Sequence, residues 1–279
     1  MKPVLLPRSL EELWQALEEH PQAVLYAGGT DLLVRLRRGL VEAPALVCLE
    51  RLSELALIED RGGQVFIGAL ATHQAILDSE LVRREFPVLA AALAELGSPP
   101  IPHMGTLGGN IVTASPAGDS LPPLYVLEAE VELRSPRGTR RLPLAEFITG
   151  PGQTRLERGE VLAGVWVPKA PGFNRHHFEK VGRRKALAIS VASLAALLEV
   201  SDEGLVRRAR LAWGSVGPTV IRSREVEELL EGRPLDEATL RCAAEAARQA
   251  VQPISDLRAS ADYRRRVAGN LLLRLVVGG

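Results

Sequence analysis

The apolar positions at the start of the chain predict helices and strands in alternation. Leucines and a tryptophan recur at intervals of three and four over 9–19, behind a serine and a glutamate spaced as in a capping box, and predict a helix. A short apolar run over 23–26 ends in two glycines and predicts a buried strand that enters a tight turn. A second helix is expected over 32–38, with Thr30 or Asp31 as its N-terminal cap.

Two hairpins and a group of helices follow this segment. A strand is expected over 45–49, and turn residues between two apolar runs predict a hairpin over 55–67. Helical spacing dominates from 70 to 97. A second hairpin is expected over 131–142 and a last strand over 161–167. Strands and helices are therefore interspersed in this part of the chain.

Residues 97–123 are the least regular part of the chain, with six prolines and five glycines. A loop of this length inside a compact domain is usually either functional or disordered. The apolar residues Ile101, Leu107, Ile111 and Val112 argue for order. We therefore expect an ordered, functional loop here.

The segment 169–172, with its proline and glycine, is the best domain boundary in the sequence. Beyond it, alternating patterns predict strands over 173–181, 189–200 and 205–213. Helices are expected at about 223–231, 235–250 and 260–275. Strands followed by helices suggest an α+β domain with helices on one face of a sheet.

Composition and charge exclude several classes of protein. The 34 basic and 34 acidic side chains among 279 residues cancel, so the basic surplus that nucleic-acid binding needs is missing. Cys48 and Cys242 form no CxxC pair and no histidine has metal-ligand spacing, so we expect neither an iron–sulfur cluster nor a zinc site. No apolar run reaches the ~18 residues of a membrane span, and the first apolar stretch is too short for a signal peptide. We expect a soluble cytoplasmic protein, with any metal supplied from outside the chain.

Two glycine pairs, at 27–31 and 106–110, are the strongest candidates for chemistry. Thr30 accompanies the first pair, and Thr106 and Asn110 accompany the second. Glycine has no Cβ, so successive backbone N–H groups can approach an anion closely. Two such loops could hold the two phosphates of a dinucleotide from both sides. The alternative is that each pair only forms a tight turn.

The two motifs, in this order and about 80 residues apart, resemble the flavin-binding (medium) subunit of the molybdenum hydroxylases. This is the family of carbon monoxide dehydrogenase and xanthine dehydrogenase. Further segments typical of it lie at 113–119, 121–124, 150–154, 159–162, 178–184, 212–218 and 256–264. Each segment alone is weak evidence, whereas the ordered set is specific and covers nearly the whole chain.

The resemblance implies an α+β fold and a division of the chain. A two-part FAD-binding domain of the vanillyl-alcohol oxidase (PCMH) type is expected over 1–170, with subdomains at about 1–55 and 56–170. A smaller α+β domain of the carbon monoxide dehydrogenase flavoprotein type, a sheet with helices, is expected over 171–279.

The resemblance also implies noncovalent FAD binding at named residues. Both glycine motifs match the family's pyrophosphate loops, Ser115 and Asp119 match positions near the ribityl chain and flavin, and Leu162 and Lys180 match later contacts. The expected FAD-binding residues are Ala27, Gly28, Gly29, Thr30, Asp31, Leu32, Ile101, Thr106, Leu107, Gly108, Gly109, Asn110, Ser115, Asp119, Leu162 and Lys180. A lysine near the flavin would favour the anionic reduced ring.

In this family a large molybdopterin-binding subunit oxidises the substrate and a small subunit carries two two-iron–two-sulfur clusters. The resemblance implies that this chain takes electrons from those clusters and passes them to NAD, a quinone or dioxygen. No catalytic residue and no metal ligand is expected on the chain itself. Relatives commonly carry Ile-Arg-Asn before the second motif, whereas this chain has Ile101, Pro102 and His103.

Several alternatives stay open. The chain could be a self-contained FAD oxidase or dehydrogenase of the same fold, or a scaffold that has lost its flavin. Asp119 could cap a helix near residue 120, Lys180 could be a solvated strand residue, and Leu162 could be an ordinary core residue. The substrate of the complex, whether carbon monoxide, an aldehyde, a purine or an aromatic heterocycle, also stays open.

Overall fold

The computed structural model describes residues 2–184 and 187–276, and its first part is a small parallel sheet with two helices. The strands are β1 (Val4–Leu5), β2 (Val24–Tyr26) and β3 (Leu46–Cys48). The helices are α1 (Leu10–Glu19) and α2 (Leu32–Arg37). The strand order is β1-β3-β2, and both neighbouring pairs are parallel. Because the strands are parallel, the carboxyl ends of β2 and β3 lie at the same end of the sheet. The first glycine motif follows β2 there.

The starts of the two helices differ from each other. Ser9 Oγ accepts a hydrogen bond from the backbone N–H of Glu12 at 3.2 Å, so α1 begins where the capping box predicts. For α2, the predicted cap position is confirmed at Asp31, but the expected side-chain bond is missing among the described residues. Asp31 occupies the N-cap position with a helical backbone, and its side chain makes no capping bond to any described residue.

An antiparallel sheet forms the centre of residues 58–168, called here the larger domain. Two hairpins and a later strand build it, with a small two-stranded ladder beside it. The strands are β4 (Ile58–Arg61), β5 (Gln64–Gly68), β6 (Glu130–Ser135), β7 (Gly138–Pro143), β8 (Ile148–Gly150), β9 (Gln153–Thr154) and β10 (Val161–Pro168). The main sheet has the order β4-β5-β10-β6-β7, and β8 pairs with β9. Both predicted hairpins are confirmed.

Short helices cover this sheet, three of them in the segment that the sequence predicted as a loop. They are α3 (His73–Asp78), α4 (Glu80–Glu85), α5 (Pro87–Ala94), α6 (Pro100–Met104), α7 (Leu107–Thr113), α8 (Leu121–Val126) and α9 (Leu144–Phe147). The loop prediction over 97–123 was wrong. Prolines occupy the first turns of α6 and α8, where a missing N–H costs no hydrogen bond, so they start these helices.

The C-terminal part is a three-stranded antiparallel meander followed by helices. Its strands are β11 (Arg175–Val181), β12 (Ala192–Val200) and β13 (Val206–Gly214), in that order. Its helices are α10 (Arg224–Glu228), α11 (Glu237–Ala250) and α12 (Ala261–Leu272). The predicted sheet with helices on one face is confirmed.

The meander is buried on both faces, which joins the two parts of the molecule. Along β12, Leu194 and Leu198 belong to a core with the C-terminal helices, whereas Ala195 and Leu197 belong to the core of the larger domain. Helices α5 and α8 cover this second face. The C-terminal sheet therefore lies directly behind α8, the helix that follows residues 115–120.

Candidate functional site

The first glycine motif follows β2 and turns the chain into α2. Gly29 has φ +69°, a left-handed conformation that glycine adopts without strain. A Cβ on Gly28 would lie 1.6 Å from the carbonyl oxygen of Met104, so only glycine fits there. Among the described residues, none of the five backbone N–H groups over 28–32 has a hydrogen-bond acceptor. The first motif therefore presents a run of free donors that an anion can bind.

The second glycine motif is the first turn of a helix rather than a loop. Thr106 is the N-cap of α7, and its Oγ1 accepts a hydrogen bond from the N–H of Gly109 at 3.1 Å. Asn110 donates its N–H to the Thr106 carbonyl at 3.0 Å. The N–H groups of Leu107 and Gly108 donate to carbonyls between β5 and α3. The hypothesis of a second run of free N–H groups was therefore wrong. Tertiary contacts and the helix itself occupy these donors.

The two glycines of this motif have different surroundings. A Cβ on Gly108 would lie 2.5 Å from the Cβ of Ala69, so Gly108 lets α7 pack closely on the adjoining connection. A Cβ on Gly109 would meet, among the described residues, only Thr106 Oγ1 at 3.0 Å. Gly109 is exposed, so a ligand can approach its backbone beside the threonine hydroxyl.

Direct contacts join the two motifs and the loop that follows them. The contact of Gly28 with Met104 brings the first motif against the segment just before the second. In the middle of α7, Asn110 Oδ1 accepts a hydrogen bond from Ser120 Oγ at 2.7 Å. That bond ties α7 to the residue that follows residues 115–119, called here the 115–119 loop. Within the loop, Ser115 Oγ accepts from the N–H of Ala117 at 3.3 Å.

Asp119 and Lys180 form a buried ion pair between the larger domain and β11. Lys180 Nζ lies 2.7 Å from Asp119 Oδ2 and donates a second bond to the Glu95 carbonyl at 2.6 Å. The two side chains are only 9% and 7% exposed. Burial raises the pKa of Asp119 above its usual value, and the Lys180 ammonium opposes that rise. Asp119 Oδ1 is buried without a hydrogen-bond partner in the described part of the chain.

Two of the alternatives for these residues were wrong. Helix α8 begins at Leu121 with Ser120 at its N-cap, so Asp119 does not cap it. Lys180 is paired and buried, so it is not a solvated strand residue. An unpaired acceptor beside a fixed ammonium is unusual for a purely structural pair, since buried polar atoms normally find partners.

The remaining expected residues differ in their access to a ligand. Ile101 is half-buried and packs against Gly97 and the core of the larger domain. Leu162 is 4% exposed and belongs to that core, so its side chain has almost no surface to offer. Asp31 is exposed and lies 3.6 Å from Arg35, one helical turn away.

His73 was not identified from the sequence, although it lies beside the second motif. Its imidazole is buried under Gly105, where a Cβ would lie 3.2 Å from the ring. Burial lowers the pKa of His73 to about 4, so the ring is neutral at physiological pH. A single histidine near a helix start gives no signal in the sequence. The carbonyls of Glu95 and Met104 give none either, because any residue type supplies one.

The geometry fits a dinucleotide such as FAD. The free N–H groups over 28–32 suit the negative charge of a diphosphate. The open space at Gly109 admits a ligand close to the backbone, and the unpaired Asp119 Oδ1 suits a ligand hydroxyl. These features lie on elements linked by the contacts described above.

The described residues contain neither a metal-binding cluster nor a membrane-spanning helix. Over residues 2–184 and 187–276, no group of three or more His, Cys, Asp or Glu side chains is arranged to hold a metal ion. Within the same ranges, no helix has the length and apolar character needed to cross a membrane. Both cysteines are free thiols, Cys48 buried and Cys242 exposed.

Two known family models match successive parts of the chain. The family model described as "FAD binding domain in molybdopterin dehydrogenase" matches residues 1–170. The model described as "CO dehydrogenase flavoprotein C-terminal domain" matches residues 176–277.

Similar proteins align over most of their own length. The xanthine dehydrogenase FAD-binding subunit of Escherichia coli O157:H7 is 33% identical, covering 96% of this chain and 92% of that protein. The carbon monoxide dehydrogenase medium chain of Hydrogenophaga pseudoflava is 31% identical, covering 90% of this chain and 87% of that protein. A chain in the crystal structure of quinoline 2-oxidoreductase from Pseudomonas putida 86 superposes with a TM-score of 0.94 at 31% identity, covering 99% of this chain and 96% of that one.

Proposed function

Because this chain belongs to the family of FAD-binding subunits of the molybdenum hydroxylases, we propose that it is the electron-transfer subunit of such an enzyme. It receives electrons from iron–sulfur clusters of a partner and passes them to a terminal acceptor. When bound, FAD supplies the exchange of one or two electrons, which side chains do not offer. The observation that carries the proposal is the run of free N–H groups over 28–32, in a chain that aligns throughout with FAD-binding relatives.

The first motif binds the diphosphate of FAD through its backbone. The N–H groups over 28–32 lie at the turn into α2 and carry partial positive charge. Thr106, Gly109 and Asn110 line the second contact, where close approach and the threonine hydroxyl replace free N–H groups. Gly28 holds the two contacts together through its fit against Met104.

Asp119 and Lys180 orient the cofactor and set its electrostatic surroundings. Lys180 is fixed by two hydrogen bonds, so its charge stays in one place. A fixed positive charge near a flavin favours the anionic reduced ring. Asp119 Oδ1 accepts a hydrogen bond from the ligand, which satisfies an otherwise unpaired buried atom. No side chain of this chain acts on the organic substrate.

The partners are a large molybdopterin-binding subunit and a small subunit with two-iron–two-sulfur clusters. Two observations support this proposal. Relatives carry names such as carbon monoxide dehydrogenase medium chain and nicotine 6-hydroxylase medium subunit. The sequence has only two cysteines, which is fewer than a four-cysteine cluster needs. The free thiols support a reducing compartment, and we place the complex in the cytoplasm.

The test separates electron transfer from independent catalysis. The full chain is loaded with FAD and mixed anaerobically with carbon monoxide, an aldehyde, a purine or an aromatic heterocycle, with and without its partner subunits. We expect flavin reduction only in the complex. Turnover of a small substrate by the isolated chain would instead favour a self-contained oxidase or dehydrogenase. Reoxidation of the reduced flavin by NAD, a quinone or dioxygen then identifies the acceptor.

A further inference from the structure

The C-terminal domain holds the 115–119 loop at both of its ends. Lys180 on β11 binds Asp119 at one end, as described above. At the other end, the backbone N–H of Ser215, just after β13, donates to the Pro116 carbonyl at 2.8 Å. The end of β13 lies very close to this region, since a Cβ on Gly214 would lie 3.0 Å from Pro122 Cγ.

Ser215 has an unusual backbone conformation that its surroundings maintain. Its φ is +64°, in the left-handed region that residues other than glycine rarely adopt. The residue is 7% exposed, and its Oγ donates to the Ser190 carbonyl at 3.0 Å. Such a conformation persists only where neighbouring groups fix it, and it often marks a functional site. The orientation of the Ser215 N–H towards Pro116 depends on this conformation.

Arg264 on α12 is the group that fixes Ser215. It is 3% exposed, although arginine is rarely buried unless paired. Its Nη1 donates to the carbonyls of Ser215 and Val191 at 2.9 and 3.0 Å, and its Nη2 lies 2.7 Å from Asp256 Oδ1. One planar guanidinium thus joins α12, the start of β12 and the residue that holds the 115–119 loop.

We infer that Arg264 is a positioning residue for the flavin site, acting through the Ser215 backbone on the 115–119 loop. The chain of contacts runs from the Arg264 guanidinium to the Ser215 carbonyl, and from the Ser215 N–H to the Pro116 carbonyl. Asp256 holds the guanidinium in place from the far side. The inference rests on the proposed function, because it takes the 115–119 loop to be part of the FAD site.

The test compares two arginines on packed helices. Arg264→Met removes all three hydrogen bonds, and Arg264→Lys keeps the charge beside Asp256 with fewer bonds. The matched control is Arg248→Met on α11, because Arg248 binds Glu245 and Asn270 and no group near the 115–119 loop. The dissociation constant of FAD, the flavin absorption spectrum and the midpoint potential are measured on the full chain at a temperature where each variant is folded.

We expect Arg264→Met to bind FAD about tenfold or more weakly. A displaced 115–119 loop would lose about one hydrogen bond to the charged cofactor, and such a bond has about that effect on affinity. Its flavin spectrum and potential should also shift, with Arg264→Lys in between and Arg248→Met like the wild type. If Arg264→Met does not fold, a wild-type affinity and spectrum in Arg264→Lys overturn the inference.

Failure of this inference and failure of the proposed function give different experimental results. If the wild type binds FAD, and Arg264→Met loses thermal stability but keeps wild-type affinity, spectrum and potential, Arg264 is merely structural and this inference is overturned alone. If neither the wild type nor Arg248→Met takes up FAD, the proposed function is overturned and the inference with it.

Discussion

Removing the Asp119 carboxylate while keeping Lys180 should destabilise the chain far more than removing both groups. The pair is buried, with side chains only 9% and 7% exposed, and the 2.7 Å contact is the only ion pair either makes within the described residues. Asp119→Ala leaves the Lys180 ammonium buried with the Glu95 carbonyl as its remaining partner. The sharpest experiment is therefore a cycle of Asp119→Ala, Lys180→Met and the double variant.

The expected magnitudes follow from burial. Removing one partner of a buried pair costs about 3–5 kcal/mol, because the other charge stays desolvated. Removing both is often close to neutral, since the desolvation cost of each ion disappears with its attraction. The raised pKa of Asp119 agrees with this, because burial outweighs the attraction of Lys180. We expect the double variant to lie within about 2 kcal/mol of the wild type.

The assay measures stability and FAD binding on the same four proteins. Urea unfolding of the FAD-free chain, followed by tryptophan fluorescence, gives the free energy of unfolding, and flavin fluorescence gives the dissociation constant. If the pair also contacts the cofactor, the double variant regains stability but binds FAD roughly 10- to 100-fold more weakly. Wild-type FAD affinity in the stable double variant would refute the binding role. If Asp119→Ala lowers the free energy of unfolding by only about 1 kcal/mol, the buried ion pair is refuted as the source of its stability. A loss of that size is what a missing helix cap causes.

Three further predictions concern the glycines and the pH dependence of stability. Gly109→Leu should abolish FAD retention after gel filtration. It should change the free energy of unfolding by less than about 1 kcal/mol, because a Cβ there meets only the Thr106 hydroxyl among the described residues. Unchanged flavin content would contradict this prediction. Gly28→Ala should lower both the melting temperature and FAD uptake, because its Cβ would lie 1.6 Å from the Met104 carbonyl oxygen; a wild-type melting curve would contradict it. Burial raises the pKa of Asp256, but hydrogen bonds from the Arg258 backbone and from Arg264 outweigh it. The net effect lowers this pKa from 3.8 to about 2. This carboxylate stabilises the folded state above about pH 4, and the stabilisation is lost as the pH falls towards about 2. Asp256→Asn should therefore flatten the acid side of the plot of stability against pH. An unchanged slope would contradict the hydrogen bonds of the Asp256 carboxylate with Arg264 and the Arg258 backbone.

Features set by local sequence were predicted well. The helix over 9–19 begins at a serine whose hydroxyl caps it, and both hairpins have their turn residues between apolar runs. The C-terminal sheet with helices followed from strand patterns that precede helical ones. The family was identified from ordered motifs, and the comparisons confirm that resemblance and the α+β fold.

Features set by tertiary contacts were not predicted. The prolines over 97–123 indicated a loop, because composition does not show whether a proline lies in the first turn of a helix. Leu107 and Gly108 of the second motif donate their N–H groups to carbonyls more than thirty residues earlier, a pairing that no local pattern reveals. Lys180 reaches Glu95 through a carbonyl, and Ser215 reaches Pro116 the same way, so neither contact depends on a recognisable residue type.

The most direct test of the account is the flavin content of the full chain after reconstitution with FAD. The purified protein is incubated with FAD, separated from free cofactor by gel filtration, and the bound flavin is released by acid and quantified against protein. The account predicts one FAD per chain, yellow while bound and fully released on denaturation because the binding is noncovalent. A colourless protein that takes up no FAD would contradict it.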